Sequence, residues 1–119
     1  MNGTIIFYDE ANRYPVIDFI ETLSIGEKAE IIRYFDLLEE YGMALGLPYI
    51  QRIGKKHQLW QLKIPYGKTD LYFIFFHRDK GELIFIHGFK NNKEVNIKKE
   101  LEISLERILQ LEKRKEVSW

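Results

Sequence analysis

The spacing of apolar positions changes period several times along the 119 residues, and each change marks an element. Thr4-Ile-Ile-Phe-Tyr8 is a β-branched and aromatic run, which predicts a first strand. Asp9 to Tyr14 is polar and turn-like. Pro15 suits the first turn of a helix, where its missing N–H leaves no bond unmade. Val16, Ile17, Phe19, Ile20 and Leu23 give that short helix an apolar face. Ser24-Ile-Gly-Glu27 fits the capping box S-x-x-E and predicts the start of a second helix. Ile31, Tyr34, Phe35, Leu38 and Tyr41 recur at helical spacing as its expected buried stripe. Gly42 is placed to end it. So little separates the two helices that a helical hairpin is expected.

Met43 to Gln58, with Gly46, Pro48 and Gly54, reads as a loop-rich crossing. Three strands should follow: Leu59–Ile64, Leu71–His77 and Leu83–Phe89. Pro65-Tyr-Gly-Lys-Thr69 and Arg78-Asp-Lys-Gly81 are the turns between them. Phe73-Ile-Phe-Phe76 has no polar alternation, as a central strand buried on both faces would require. A last helix is expected from about Ile97 to Lys115, capped by Asn96. Ile97, Leu101, Leu105 and Ile108 should form its apolar face, and Lys113, Arg114 and Lys115 complement the dipole of its final turn. The order β-α-α-β-β-β-α indicates an α+β fold, a mostly antiparallel sheet with helices packed on one face.

This length suits one domain over residues 1–119. Hydrophobic residues make up 45% of it, enough to build a core without disulfides or metals. There is no cysteine, which excludes a thiolate metal site and a cysteine nucleophile. His57, His77 and His87 are scattered, with no pair at metal-binding spacing, no Gly-rich phosphate loop and no G-x-S-x-G. No cofactor and no metal are therefore expected. No run approaches a membrane span and Met1 to Glu10 lacks the order of a secretory signal, so a cytoplasmic protein with no membrane association is expected.

The formal net charge of zero hides a division. Residues 1–50 carry 3 Lys/Arg against 9 Asp/Glu, and residues 51–119 carry 15 against 9. Within 52–99 the count is 11 against 4, which predicts one cationic side.

Five short words in order carry a resemblance. They are Pro15-Val-Ile-Asp-Phe-Ile, Leu37-Leu-Glu-Glu-Tyr-Gly42, Leu59-Trp-Gln-Leu-Lys63, Tyr72-Phe-Ile-Phe-Phe76 and Ile86-His-Gly-Phe-Lys90. The sequence resembles the RelE/ParE toxin superfamily, and most closely its HigB-like, phage-derived branch. The resemblance implies a RelE-like fold and the toxin of a type II toxin–antitoxin pair. It implies a cognate antitoxin, expected to be a helix-turn-helix protein encoded adjacently. Most of the superfamily cuts mRNA in the ribosome's decoding site, while ParE-like members poison DNA gyrase. A ribosome-dependent mRNA endonuclease, with ribosome and mRNA as partners, is the first expectation. The alternatives are a non-nucleolytic, gyrase-type toxin, or a degenerate toxin retained for antitoxin binding and transcriptional regulation.

RNA cleavage without a metal needs a base for the 2′-OH, a cation for the phosphorane and an acid for the leaving 5′ oxygen. The family's strand arginine corresponds to Lys63, which keeps the charge and loses the planar fork. A second family arginine corresponds to Tyr72, which has no charge but can stack on a base or donate a proton. The family histidine matches His87, and its lysine cluster is reduced to Lys90, followed by Asn91, Asn92 and Lys93. Lys63, Tyr72, His87 and Lys90 are thus the candidate catalytic residues. Lys55, Lys56, Lys68, Arg78, Lys93, Lys98 and Lys99 are candidate contacts to RNA or the ribosome.

Strand parity sorts these candidates. Lys63 and Gln61 share a face, opposite Trp60, Leu62 and Ile64, so Trp60 is expected in the core. In a regular strand His87 and Lys90 point to opposite faces, and a bulge at Gly88 is what would unite them.

Overall fold

The computed structural model describes residues 2–53, 58–92 and 96–114. The elements run β1 (Thr4–Phe7), α1 (Pro15–Glu21), α2 (Ile25–Tyr41), β2 (Ile50–Arg52), β3 (Leu59–Ile64), β4 (Asp70–Arg78), β5 (Glu82–Asn91) and α3 (Ile97–Lys113). The chain has an α+β fold, and the five strands among the described residues form one sheet in the order β1-β5-β4-β3-β2. Every pairing is antiparallel except β1 with β5, which is parallel. The strand β2 lies inside the segment read as loop. Only Ile50 of its three residues is buried, too little for a periodic signal.

Local chemistry explains the helix boundaries. Pro15 occupies the first turn of α1. Ser24 and Glu27 exchange both capping-box hydrogen bonds at the start of α2, and Gly42 ends that helix with φ +58°. The Asn96 side chain accepts from the Lys99 backbone N–H and caps α3. The tight turn before β5 places Lys80 and Gly81 at positive φ.

The helices sit on both faces of the sheet. Val16 of α1, Leu23 just after it, and Ile31, Tyr34 and Leu38 of α2 pack on Leu62, Ile64, Leu71, Phe73, Phe75, Leu83 and Phe85. Phe35 lies edge-on to Phe73 and Phe85, with ring centroids 5.3 and 5.0 Å apart. Ile108 and Leu111 of α3 pack on the other face, against Leu59, Ile74, Phe76, Ile84 and Ile86. The expectation of helices on one face therefore holds for α1 and α2 and is corrected for α3. The cause is visible in β4, whose run Phe73–Phe76 is buried on both sides and so needs a cover on each.

Two helical faces are also corrected. The buried residues of α3 are Ser104, Ile108 and Leu111, while Ile97 and Leu105 are exposed. The sequence reading followed the apolar spacing, whereas the inward stripe opens with polar residues. Tyr41, assigned to the buried stripe of α2, is exposed at the helix end.

Candidate functional site

The ladder between β1 and β5 ends at Phe7 and Phe85, with one further bond from the Tyr8 N–H to the Phe85 carbonyl. Beyond that point β5 continues to Asn91, flanked on its other side by β4. Among the described residues no strand pairs with Ile86–Asn91 on the β1 side. This half of β5 forms the floor of an open groove of about 770 Å³ between α1 and the start of α3. Phe19, Thr22 and Leu23 line one wall, and Asn96, Lys99, Glu100 and Ile103 line the other.

A bulge sets the directions of the side chains on the floor. Ile74 pairs with His87 and Phe75 with Phe85, so Ile86 is the extra residue. His87 and Phe89 then face α3, on the side of their partners Ile74 and Tyr72. Lys90 pairs with Leu71 and faces α1 and α2. The bulge lies before Gly88, and His87 and Lys90 remain on opposite faces. They meet as residues lining one groove, because the free edge of the strand exposes both its sides.

His87 is buried against α3 and both its ring nitrogens are engaged. Arg107 Nη1 lies 3.0 Å from Nδ1 and donates 2.9 Å to the Ile86 carbonyl at the bulge. A guanidinium only donates, so Nδ1 accepts and the proton sits on Nε2. Nε2–H is in hydrogen-bonding contact with Glu100 Oε2. Burial pushes the imidazole below its ordinary value; Glu100 pulls upward and the Arg107 charge adds to the lowering. Arg107 and Glu100 escaped the sequence reading. Their signal was the inward stripe Glu100, Ser104, Arg107, Ile108 and Leu111 of α3, which is polar where it meets His87.

The other candidates divide. Lys63, Tyr72 and Phe89 are cross-strand neighbours on three adjacent strands, on the α3 face of the sheet. Tyr72 stacks on Phe89 with centroids 5.5 Å apart and planes within 12°, and His87 stacks on Phe89 at 5.8 Å. Lys63 Nζ is 3.6 Å from Asp70 Oδ2, which compensates part of its charge. Lys90 Nζ is 2.9 Å from Glu27 Oε2. Trp60 packs at the edge of the core under α1 and α2, as its parity implied, with the Arg52 guanidinium 6.0 Å from its ring.

Lys99 lines the groove, and Lys98 precedes it in the exposed first turn of α3. Lys68 is exposed in the β3–β4 turn. Arg78 forms an ion pair with Glu82 at the opposite end of β4, roughly 25 Å from that turn at the rise of a strand. It does not join the groove. Lys55, Lys56 and Lys93 lie outside the described residues. Among the described residues no group of three or more His, Cys, Asp or Glu could hold a metal ion, and no helix is long and apolar enough to cross a membrane.

The family described as Phage derived protein Gp49-like (DUF891) matches residues 18–109, well over half of the chain. The chain belongs to this family. No curated protein matches it. Four of the five sequence words lie wholly within the matched part of this Gp49-like chain. Membership is compatible with a toxin of a toxin–antitoxin system and suggests an antitoxin partner.

Proposed function

We propose that this Gp49-like chain is the toxin of a type II toxin–antitoxin pair and that it cuts mRNA bound to the ribosome, as HigB-like toxins do. The observation that carries the reading is the cross-strand row Lys63, Tyr72 and Phe89, with His87 stacked on Phe89, on one sheet face. An ammonium can neutralise a phosphorane, and a tyrosine ring already aligned with a phenylalanine extends a stacking platform to a base. The groove beside them adds Lys99 as a phosphate contact, while Lys90 is held by Glu27. The antitoxin is an adjacent gene's product with an acidic segment, drawn to the cationic stretch 52–99.

The Asp70 carboxylate beside Lys63 favours a second reading. A cation already compensated grips phosphate less well, and Tyr72 brings no charge. On that reading the chain arrests growth by binding a target without cutting RNA.

The toxin assignment is tested by inducing the chain with and without the product of the neighbouring reading frame. Growth should continue in the first case and stop in the second, and the two proteins should co-elute on size exclusion. Normal growth on induction, at confirmed expression, removes the assignment.

A further inference from the structure

The groove holds a relay whose outer end is a carboxylate. Arg107 fixes the tautomer of His87, and His87 spends its one proton on Glu100. With both nitrogens committed inside the protein, the imidazole has no lone pair to offer a substrate. Exposure rises along the relay, from 10% for the His87 side chain to 20% for that of Glu100. Glu100 lines the groove together with Lys99 and with Lys90, whose ammonium is paired with Glu27. A carboxylate held from behind by a buried N–H and opening on a groove that is also lined by lysines has the arrangement of a general base for a phosphodiester.

We propose that Glu100 is the catalytic base of the nuclease reading above, on which this inference rests, with His87 and Arg107 as positioning residues. Glu100 takes the proton of a ribose 2′-OH, and the 2′ oxygen forms a bond to the adjacent phosphorus. The P–O5′ bond breaks with its electron pair going to O5′, which is protonated by water entering the open groove. The products are a 2′,3′-cyclic phosphate and a 5′-OH, and Glu100 returns its proton to solvent. Lys99 contacts the phosphate from the groove wall. This moves the proton transfer from His87 to a residue of α3 and leaves Lys63 as the cation of the transition state and Tyr72 as the stacking platform.

Among the described residues, the charged and titratable groups around Glu100 are His87 from β5, Arg107 of α3 behind it and the groove lysines Lys90 and Lys99; Phe19 of α1 and the following Thr22 and Leu23 are uncharged. The test is the pH–rate profile of cleavage of ribosome-bound mRNA by the full chain. The wild type should lose activity as pH falls, as a reaction that needs an ionised base does. Glu100→Gln still accepts from His87 Nε2–H, so its thermal melting should be close to wild type. Its cleavage should fall by roughly 10²–10⁴ and its acid limb should vanish. His87→Asn should cleave more slowly yet keep an acid limb, as a positioning role requires. If Glu100→Gln does not fold, Glu100→Asp decides, because a carboxylate withdrawn by one methylene should cut slowly with the limb retained. A folded Glu100→Gln, or failing that an Asp variant, with the rate of the wild type overturns the proposal and leaves the nuclease reading intact. A wild type that arrests growth without cutting mRNA overturns both.

Discussion

Lys90 Nζ lies 2.9 Å from Oε2 of Glu27, whose side chain is only 9% exposed, so the last candidate lysine of β5 is tied to the capping box of α2. Burial opposes ionisation of Glu27, but the Ser24 backbone N–H and the Lys90 ammonium outweigh it and hold the carboxyl below its ordinary range. Lys90→Ala would leave that carboxylate without its ammonium partner and should cost about 1–3 kcal/mol of stability. A depressed acid stabilises the fold above its unfolded pKa, and that contribution is lost as pH falls through the folded value. Denaturant midpoints measured from neutral pH downward should therefore drop in acid, and less steeply in Glu27→Gln. Equal midpoints for wild type and Lys90→Ala would mean that the ion pair contributes nothing.

The pH response of His87 has a different window. Its folded value lies below its unfolded value of about 6.5, so the unfolded chain binds the proton more readily. Stability should be full above that pH and decline as pH falls from there toward the folded value. His87→Gln should remove this part of the decline. Nitrogen chemical shifts of the imidazole should show Nε2 protonated and Nδ1 bare at neutral pH. The opposite tautomer would break the chain of donors from Arg107 to Glu100.

Gly88 is required by space. A Cβ there would meet Phe19 Cδ2 at 2.6 Å and Phe73 Cε1 at 2.9 Å, two rings set edge to face beneath the groove floor. Gly88→Ala should destabilise the chain by roughly 1–3 kcal/mol through overpacking. A thermal midpoint unchanged from wild type would show that the rings yield without cost.

Elements and parity were legible in the sequence wherever a local rule governs. The Ser24–Glu27 box, Pro15 and Asn96 mark helix starts because the donors they satisfy lie within one turn. The alternation of Trp60, Leu62 and Ile64 with Gln61 and Lys63 sorted β3 into its two faces. What escaped depends on distant partners. The bulge at Ile86 comes from matching β5 to β4, and the parallel β1 ladder stops where no local signal marks it. Arg107 and Glu100 read as solvated helix charges until β5 supplies His87 between them. Lys63 and Tyr72 were placed together by two hydrophobic strands whose register the sequence does not print.

Lys63 offers charge without a two-point grip, and Asp70 shares it. Lys63→Arg should raise cleavage of ribosome-bound mRNA if phosphate is gripped there. Lys63→Ala should lower it by on the order of 10²–10³, as for loss of one transition-state donor. The ratio of the two rates is the readout, at matched thermal midpoints. Undiminished cleavage by Lys63→Ala would remove this residue from the site.

The central claim is that the chain cuts mRNA on the ribosome, and primer extension on a defined mRNA, with purified ribosomes and the wild-type chain, tests it most directly. Discrete stops within the translated region should appear only when ribosomes and the chain are both present. An intact message, at chain concentrations that arrest growth in cells, would contradict the account.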